Sequence, residues 1–510
     1  MTKQLPKITS LLLVLFLFFS QQAISQTITA KIIDGQTGES IPYANILVNN
    51  TESLVSNSEG YFTLSEKNSD DAVQLLVSYL GYANQTLTVA ELKRNHNKIS
   101  LQSGIIELND VNLSEKKLTA LQIMANVKAN LKNNYSYQKN ATKDKIFFRE
   151  SNYLAPKILD VEIEKSTGFT KDALKKANKE LAAFTSKLIS NPPKEYTDIL
   201  CDYYHSVTQK EKMVYSTKMD VIKATKLKNE SNAVSLDDLE KSATNILLTH
   251  IDTTKYYRVK SGWFGSRDTI SLRKDFNKKK NKIKNTRLSS AKNNLNTLLI
   301  ENSMLNTTKF DFIQNHDYYE YKYEGAKYSS DNEFIYVISF KPDRNKAKYE
   351  GKLYISENDF AVLRVDYKLA EGKKEGGFNM KLLLGVKVLE NMSNGTIIYK
   401  KSPSGNGYHL HYVSQETGQY IYINRPVKFI ELTNKDDEDI VAFDIKLEAN
   451  QREKNEFLNI SRSEIEHEDV EKLTEEEFNY IKLKSYDPNI WKNYIAIEPL
   501  AEMKQFKAED

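Results

Sequence analysis

Two pairs of side chains in this sequence have the types and spacing of metal-binding or reactive groups. His409 and His411, in GYHLHYV, stand two residues apart. On a β-strand that spacing puts both imidazoles on one face about 7 Å apart, a separation that two ligands of one metal ion can use. Two imidazoles alone do not make a metal site, and no third ligand lies nearby in sequence. A polar strand face opposite Tyr408, Leu410 and Tyr412 is therefore the simpler reading. Cys201 and His205, in CDYYH, are four apart, which on a helix would stack a thiol nucleophile beside its base. A lone cysteine is more often a small buried apolar residue, and no orienting Asn or Asp is identifiable.

Two charged runs could bind ions. Between Arg273 and Arg287, RKDFNKKKNKIKNTR carries eight cationic residues and one acid. Outside the cytoplasm Lys278, Lys279 and Lys280 would meet lipid phosphate or acidic glycan, unless the run is simply a solvated linker or helix face. EIEHEDVEKLTEEEF has the carboxylates for weak calcium binding, without the spacing or central glycine of an EF-hand. A zinc carboxypeptidase would need His-x-x-Glu and a later His, and no His here has Glu three residues on. Nucleophile elbow, phosphate loop and dinucleotide fingerprint are also missing. The formal net charge of +4 predicts no general affinity for nucleic acid. The chain is expected to be non-enzymatic, without cofactor or metal.

The elements that would carry these residues begin after an export signal. MTKQLPK is followed by nine unbroken apolar residues, Leu11 to Phe19, then by small residues at Ala23 and Ser25. The run is too short to span a bilayer and reads as a signal peptide over 1–25. No later stretch is a candidate transmembrane helix, and a single cysteine allows no internal disulfide. With 510 residues, 40% of them hydrophobic, the chain can build two to four domains with real cores. Thirty tyrosines against ten prolines favour sheet.

Between residues 27 and 103 apolar residues alternate in short runs separated by turn signals. Ile28, Ala30 and Ile32 share a face, as do Ala44, Ile46 and Val48, and Val73, Leu75, Val77 and Tyr79. About seven strands predict a β-sandwich. In SNSEGYFTL, Gly60 permits positive φ and is expected to close a hairpin that Phe62 and Leu64 seat. AKIIDGQTGESIPYANI, SNSEGYFTL and VSYLGY together resemble the carboxypeptidase-regulatory-like domain, through Asp34, Gly35, Pro42, Ala44, Gly60, Phe62, Gly81 and Tyr82. That resemblance implies a transthyretin-like sandwich with no peptidase activity, familiar in receptors of the outer membrane and other exported proteins.

From 113 to 510 the texture is α+β. Mixed helices and strands are expected over 113–310, an antiparallel meander over 316–450 and a helical or irregular tail over 460–510. Leu118, Leu121, Met124, Ala125 and Val127 mark one helical face, further helices are expected at about 171–190, after Ser235 and in SSAKNNLNTLLIENSM, and MKLLLGVKVL reads as a strand. Eight or so successive strands curl or close rather than stay flat. QIMANVKANLKNNY, FFRES, VKSGWFG, YEGKLYISENDFAVLRVDYKL and YDPNIWKNY resemble an uncharacterised family of exported envelope proteins. Its members join the regulatory-like domain to a curved sheet of the lipoprotein-carrier type, and some continue into an outer-membrane barrel, which this sequence is expected to lack. The resemblance implies an accessory, binding or scaffold protein of an outer-membrane assembly, in the periplasm or at the outer-membrane periphery of a gram-negative bacterium, with an envelope protein as partner. A carrier of lipid or another apolar ligand is the alternative, and an unrecognised hydrolase a weaker one.

Overall fold

The computed structural model describes residues 27–103, 118–136, 140–167, 170–209, 213–228, 256–261, 264–271, 286–328, 333–405, 407–431 and 440–508. These form two compact units. The expected signal peptide, the helix after Ser235 and Lys278, Lys279 and Lys280 lie outside the described residues.

The first unit comprises described residues 27–79, 83–103 and 487–498. Its strands are β1 (Ile28–Asp34), β2 (Asn45–Val48), β3 (Glu52–Val55), β4 (Tyr61–Leu64), β5 (Gln74–Ser78), β6 (Gln85–Thr88) and β7 (Lys98–Leu101). One sheet runs β4-β1-β7 and the other β3-β2-β5-β6. Alternation decides what is buried: Ile28, Ala30 and Ile32 on β1 and Ile46 and Val48 on β2 are all removed from solvent. Helix α1 (Val89–Arg94), unforeseen from sequence, opens on a capping box in which Thr88 accepts from the amide of Glu91 and the Glu91 carboxylate accepts from that of Thr88.

Gly60 does not close a hairpin. β3 pairs with β2, whereas β4 pairs with β1, so SNSEG carries the chain from one sheet to the other. Two buried side chains do what a hairpin ladder would have done for the backbone. The Ser56 hydroxyl accepts from the amide of Ala44 at 2.9 Å and donates to the carbonyl of Ile41. Asn57 accepts from the amides of Glu59 and Tyr61 at 2.9 and 3.0 Å. Gly60 sits at φ +82°, where a Cβ would lie 3.0 Å from the Ile32 carbonyl oxygen.

Asp487–Glu498, within the expected helical or irregular stretch over 460–510, also belongs to this unit and lies outside the 27–103 boundary. Within Asp487–Glu498, Trp491, Ile495 and Ile497 are buried. The Glu66 amide donates to the Lys492 carbonyl at 2.7 Å, and the Asn57 carboxamide donates to the Glu498 carbonyl.

The second unit contains one sheet of fourteen strands among the described residues. They are β8 (Ala141–Ser166), β9 (Lys194–Gln209), β10 (Met213–Lys228), β11 (Tyr256–Ser261), β12 (Phe264–Ser271), β13 (Tyr319–Tyr328), β14 (Phe334–Pro342), β15 (Tyr349–Ser356), β16 (Val362–Leu369), β17 (Gly376–Met380), β18 (Val386–Lys401), β19 (Tyr408–Glu431), β20 (Ile440–Ile465) and β21 (Ile481–Leu483). The order is β13-β14-β15-β16-β18-β19-β20-β8-β9-β10-β21, with β17 on β18, β11 on β19 and β12 on β11. The meander is thus joined edge to edge with strands from the earlier region, and its last strand runs on to Ile465. MKLLLGVKVL is not one strand, because a helical turn interrupts it at Lys381–Leu384.

Helices α2 (Ala120–Tyr135), α3 (Lys171–Ser190), α4 (Arg287–Glu301), α5 (Asp311–Gln314), α6 (Lys381–Leu384), α7 (His467–Lys472) and α8 (Ala501–Lys504) accompany the sheet. Helix α2 buries Ile123, Met124, Val127 and Leu131, and α4 buries Leu288, Ala291, Leu295 and Leu298. Both join one core with Ile338, Leu353, Val365 and Ile397 from the strands. Leu121, expected on the buried face, is 56% exposed, because it lies round the helix from the stripe centred on Met124 and Val127. Helix α3 covers another part of the sheet, where Leu188 meets Leu154, Leu159, Ile421 and Leu447.

Candidate functional site

Strands β19, β20, β8, β9 and β10 lie side by side, so residues distant in sequence form cross-strand rows. Thr142 opposes His205, which opposes Thr217; Asp144 opposes Tyr203, which opposes Met219; Ile146 opposes Cys201. Period-two alternation puts all three rows on one face. Thr142, Asp144, Ile146, Tyr203, His205 and Thr217 of these rows line a cavity of about 660 Å³, together with Tyr135 of α2 and Leu299 and Ile300 of α4. That volume is in the range of small-molecule sites.

A charged cluster sits at the cavity wall. Arg462 donates through Nε and Nη2 to the two carboxylate oxygens of Asp144, at 2.7 and 2.8 Å. The Asn459 carboxamide donates to Asp144 Oδ1 at 2.8 Å. Asn459 and Arg462 are three apart and would face opposite ways on a regular strand. The register of β20 against β8 shifts between Asn459 and Ser461, and this bulge brings both to the same carboxylate. Burial alone would raise the Asp144 pKa, but Arg462 and Asn459 outweigh it and hold the carboxyl below its usual value.

His409 lines the same cavity, and its Nδ1 is buried without a hydrogen-bond partner. Burial first, and the Arg462 charge second, push its pKa down to about 3, so the ring is neutral. His205 is also depressed by burial and by Arg462, with Asp144 opposing. Four tyrosines present their rings to the cavity while their hydroxyls are anchored. Tyr203 donates to Asn296 Oδ1, Tyr399 to the Asn302 carbonyl, Tyr135 to the Val362 carbonyl and Tyr408 to Asp359 Oδ2. With Ile146, Met304, Leu410 and Phe457 these make the pocket mainly apolar, with polar side chains from the sheet and from the end of α4, Asn302 and Ser303, among its lining.

The structure separates both residue pairs singled out by spacing. Tyr399 pairs with Leu410 and Ile398 with Tyr412, leaving His411 as the extra residue of a bulge. His411 is buried and does not line the cavity that His409 lines. Cys201 and His205 lie on β9 rather than on a helix, on one face but about 13 Å apart along the strand. Burial, followed by Asp202, raises the Cys201 thiol well above its usual value. Among the described residues no group of three or more His, Cys, Asp or Glu side chains is placed to hold a metal ion. Asp144, Asn459 and Arg462 could not be singled out from sequence, since only the pairing of β8 with β20 unites them.

The residues singled out between Asp34 and Tyr82, of which Gly81 and Tyr82 group with the second unit, serve the backbone. Asp34 accepts from the amides of Gln36 and Thr37, Ala44 and Phe62 are buried, and Gly81 sits at φ +87°. Gly35, Pro42 and Tyr82 lie in the connections between strands. Residues 28–113 match the family described as CarboxypepD_reg-like domain. No curated protein and no solved structure matches the chain.

Proposed function

We propose that this chain is a non-enzymatic, exported binding protein of the cell envelope whose larger unit holds an amphiphilic ligand. The carrying observation is the 660 Å³ cavity, with its tyrosine-rich, mainly apolar lining and a polar cluster of Asp144, Asn459, Arg462 and His409 in that lining. Helices α2 and α4 already pack on the adjoining part of the sheet, so the carrier reading is confined to this cavity rather than a whole open face. Neutral His409 offers a hydrogen bond, and partly exposed Arg462 offers a cation, to the polar end of the ligand.

The test is native mass spectrometry and organic extraction of the mature chain purified from an envelope fraction. A bound amphiphile near one per chain is expected, reduced at least tenfold in a Leu299→Asp/Leu410→Asp variant. Protein that emerges empty, or ligand retained by that variant, would refute the reading.

The family match at residues 28–113 supports a second part to this function, docking to an outer-membrane assembly. The outer strands β3, β4, β6 and β7 offer sheet edges of the kind used for strand addition. Cross-linking in intact envelopes should capture a membrane protein through these strands. Cross-links confined to the larger unit would exclude that part.

A further inference from the structure

The turn joining β17 to β18 exposes apolar side chains in a way that no internal packing explains. Leu382 is 100% exposed, Leu383 79%, Phe378 50% and Met380 38%. Phe378 pairs with Val388 and Met380 with Val386, so these four share a face. The same face continues through the pairs of Val386 with Ile423 and Val388 with Ile421 to the core beneath α3. Phe378 and Met380 are its uncovered margin, and α6 carries Leu382 and Leu383 beyond it.

The turn is built, not frayed. Gly385 sits at φ +66°, where a Cβ would lie 2.0 Å from the Asn424 carbonyl oxygen, and its own carbonyl accepts from the Asn424 amide at 2.7 Å. Lys381 lies over the ring of Tyr422 at 4.0 Å and Lys387 over that of Tyr420 at 5.4 Å. Lysines 373, 374, 381 and 387 stand between Glu371 and Glu390, and the third carboxylate of the segment, Glu375, is engaged by Lys348 and Tyr349.

Protruding leucines on a pinned turn, with lysines and tyrosines set behind them, match the chemistry of a phospholipid surface. We propose that the β17–β18 turn is a membrane-contact element, with Leu382, Leu383, Phe378 and Met380 entering the acyl boundary of a bilayer and the lysines meeting anionic headgroups. A protein partner would have to supply a socket for a knob of this shape, whereas a bilayer adapts to it, and Lys381 and Lys387, which flank the leucines, favour anionic lipid. The inference is independent of the cavity, which shares none of these residues.

The test is flotation of the full chain with vesicles of phosphatidylglycerol and phosphatidylethanolamine, and with phosphatidylcholine alone. Partition onto the anionic vesicles is expected, lowered at least tenfold in Leu382→Asn/Leu383→Asn, whose thermal melting should be unchanged. Lys381→Gln/Lys387→Gln should weaken binding to the anionic vesicles only, and a Leu383→Trp reporter should shift to the blue on binding. Absence of partition, or equal partition by the leucine variant, overturns the proposal. So does self-association without vesicles that the leucine variant abolishes, which would assign the turn to a second copy of the chain. Ligand retention by the leucine variant in extraction keeps this result separate from that of the cavity.

Discussion

At the scale of single residues, the cavity wall links pH to stability. An imidazole in the unfolded chain titrates near 6.5, whereas His409 is held down to about 3. Between those values the unfolded chain binds more protons, so stability falls as pH falls, by up to about 1.4 kcal/mol per pH unit for each such histidine. Urea denaturation of His409→Gln from pH 7 to 4.5 should therefore show a shallower loss than the parent chain. Asp144 has the lowered carboxylate pKa, so its contribution is present above the unfolded value and lost as pH drops through the folded one. Arg462→Met leaves that carboxylate with Asn459 and no cation. It should destabilise the larger unit by about 3 kcal/mol at pH 7, and the deficit should narrow in acid as Asp144 takes up a proton, again read by denaturant titration.

At the scale of elements, caps and turns set the boundaries. The Thr119 hydroxyl accepts from the Gln122 amide at the start of α2, and Thr119→Ala should cost about 1 kcal/mol, measured by chemical denaturation. Much of this level was legible in the residues. Strict alternation located β1, β2 and β5, and a 3.6-residue period located α2, because each buries one face against a core. Irregularities were not legible. A bulge changes which face a side chain takes without changing residue type, so the pairing of Asn459 with Arg462 on Asp144 and the parting of His409 from His411 had no local signal. Apolar MKLLLGVKVL satisfied a strand pattern although Gly385 breaks it, and only the neighbouring Asn424 backbone shows why glycine stands there. Thr88 and Glu91 did carry a readable capping box for α1.

At the scale of the whole molecule, residues far apart in the chain meet in the first unit. Trp491→Ala should destabilise that unit by about 3–5 kcal/mol, seen as faster amide hydrogen exchange in β1–β7 with little change in β13–β16. Sequence order hid this arrangement, since YDPNIWKNY reads as an isolated tail until Asn57 and Glu66 are seen to bond to it. The consequence concerns timing. Synthesis delivers the residues of β1–β7 before Asp487–Glu498, the segment that carries buried Trp491, and most of the larger unit lies between them in the chain. The first unit is therefore begun early and finished late, and until Asp487–Glu498 arrives the Asn57 carboxamide is without its Glu498 carbonyl.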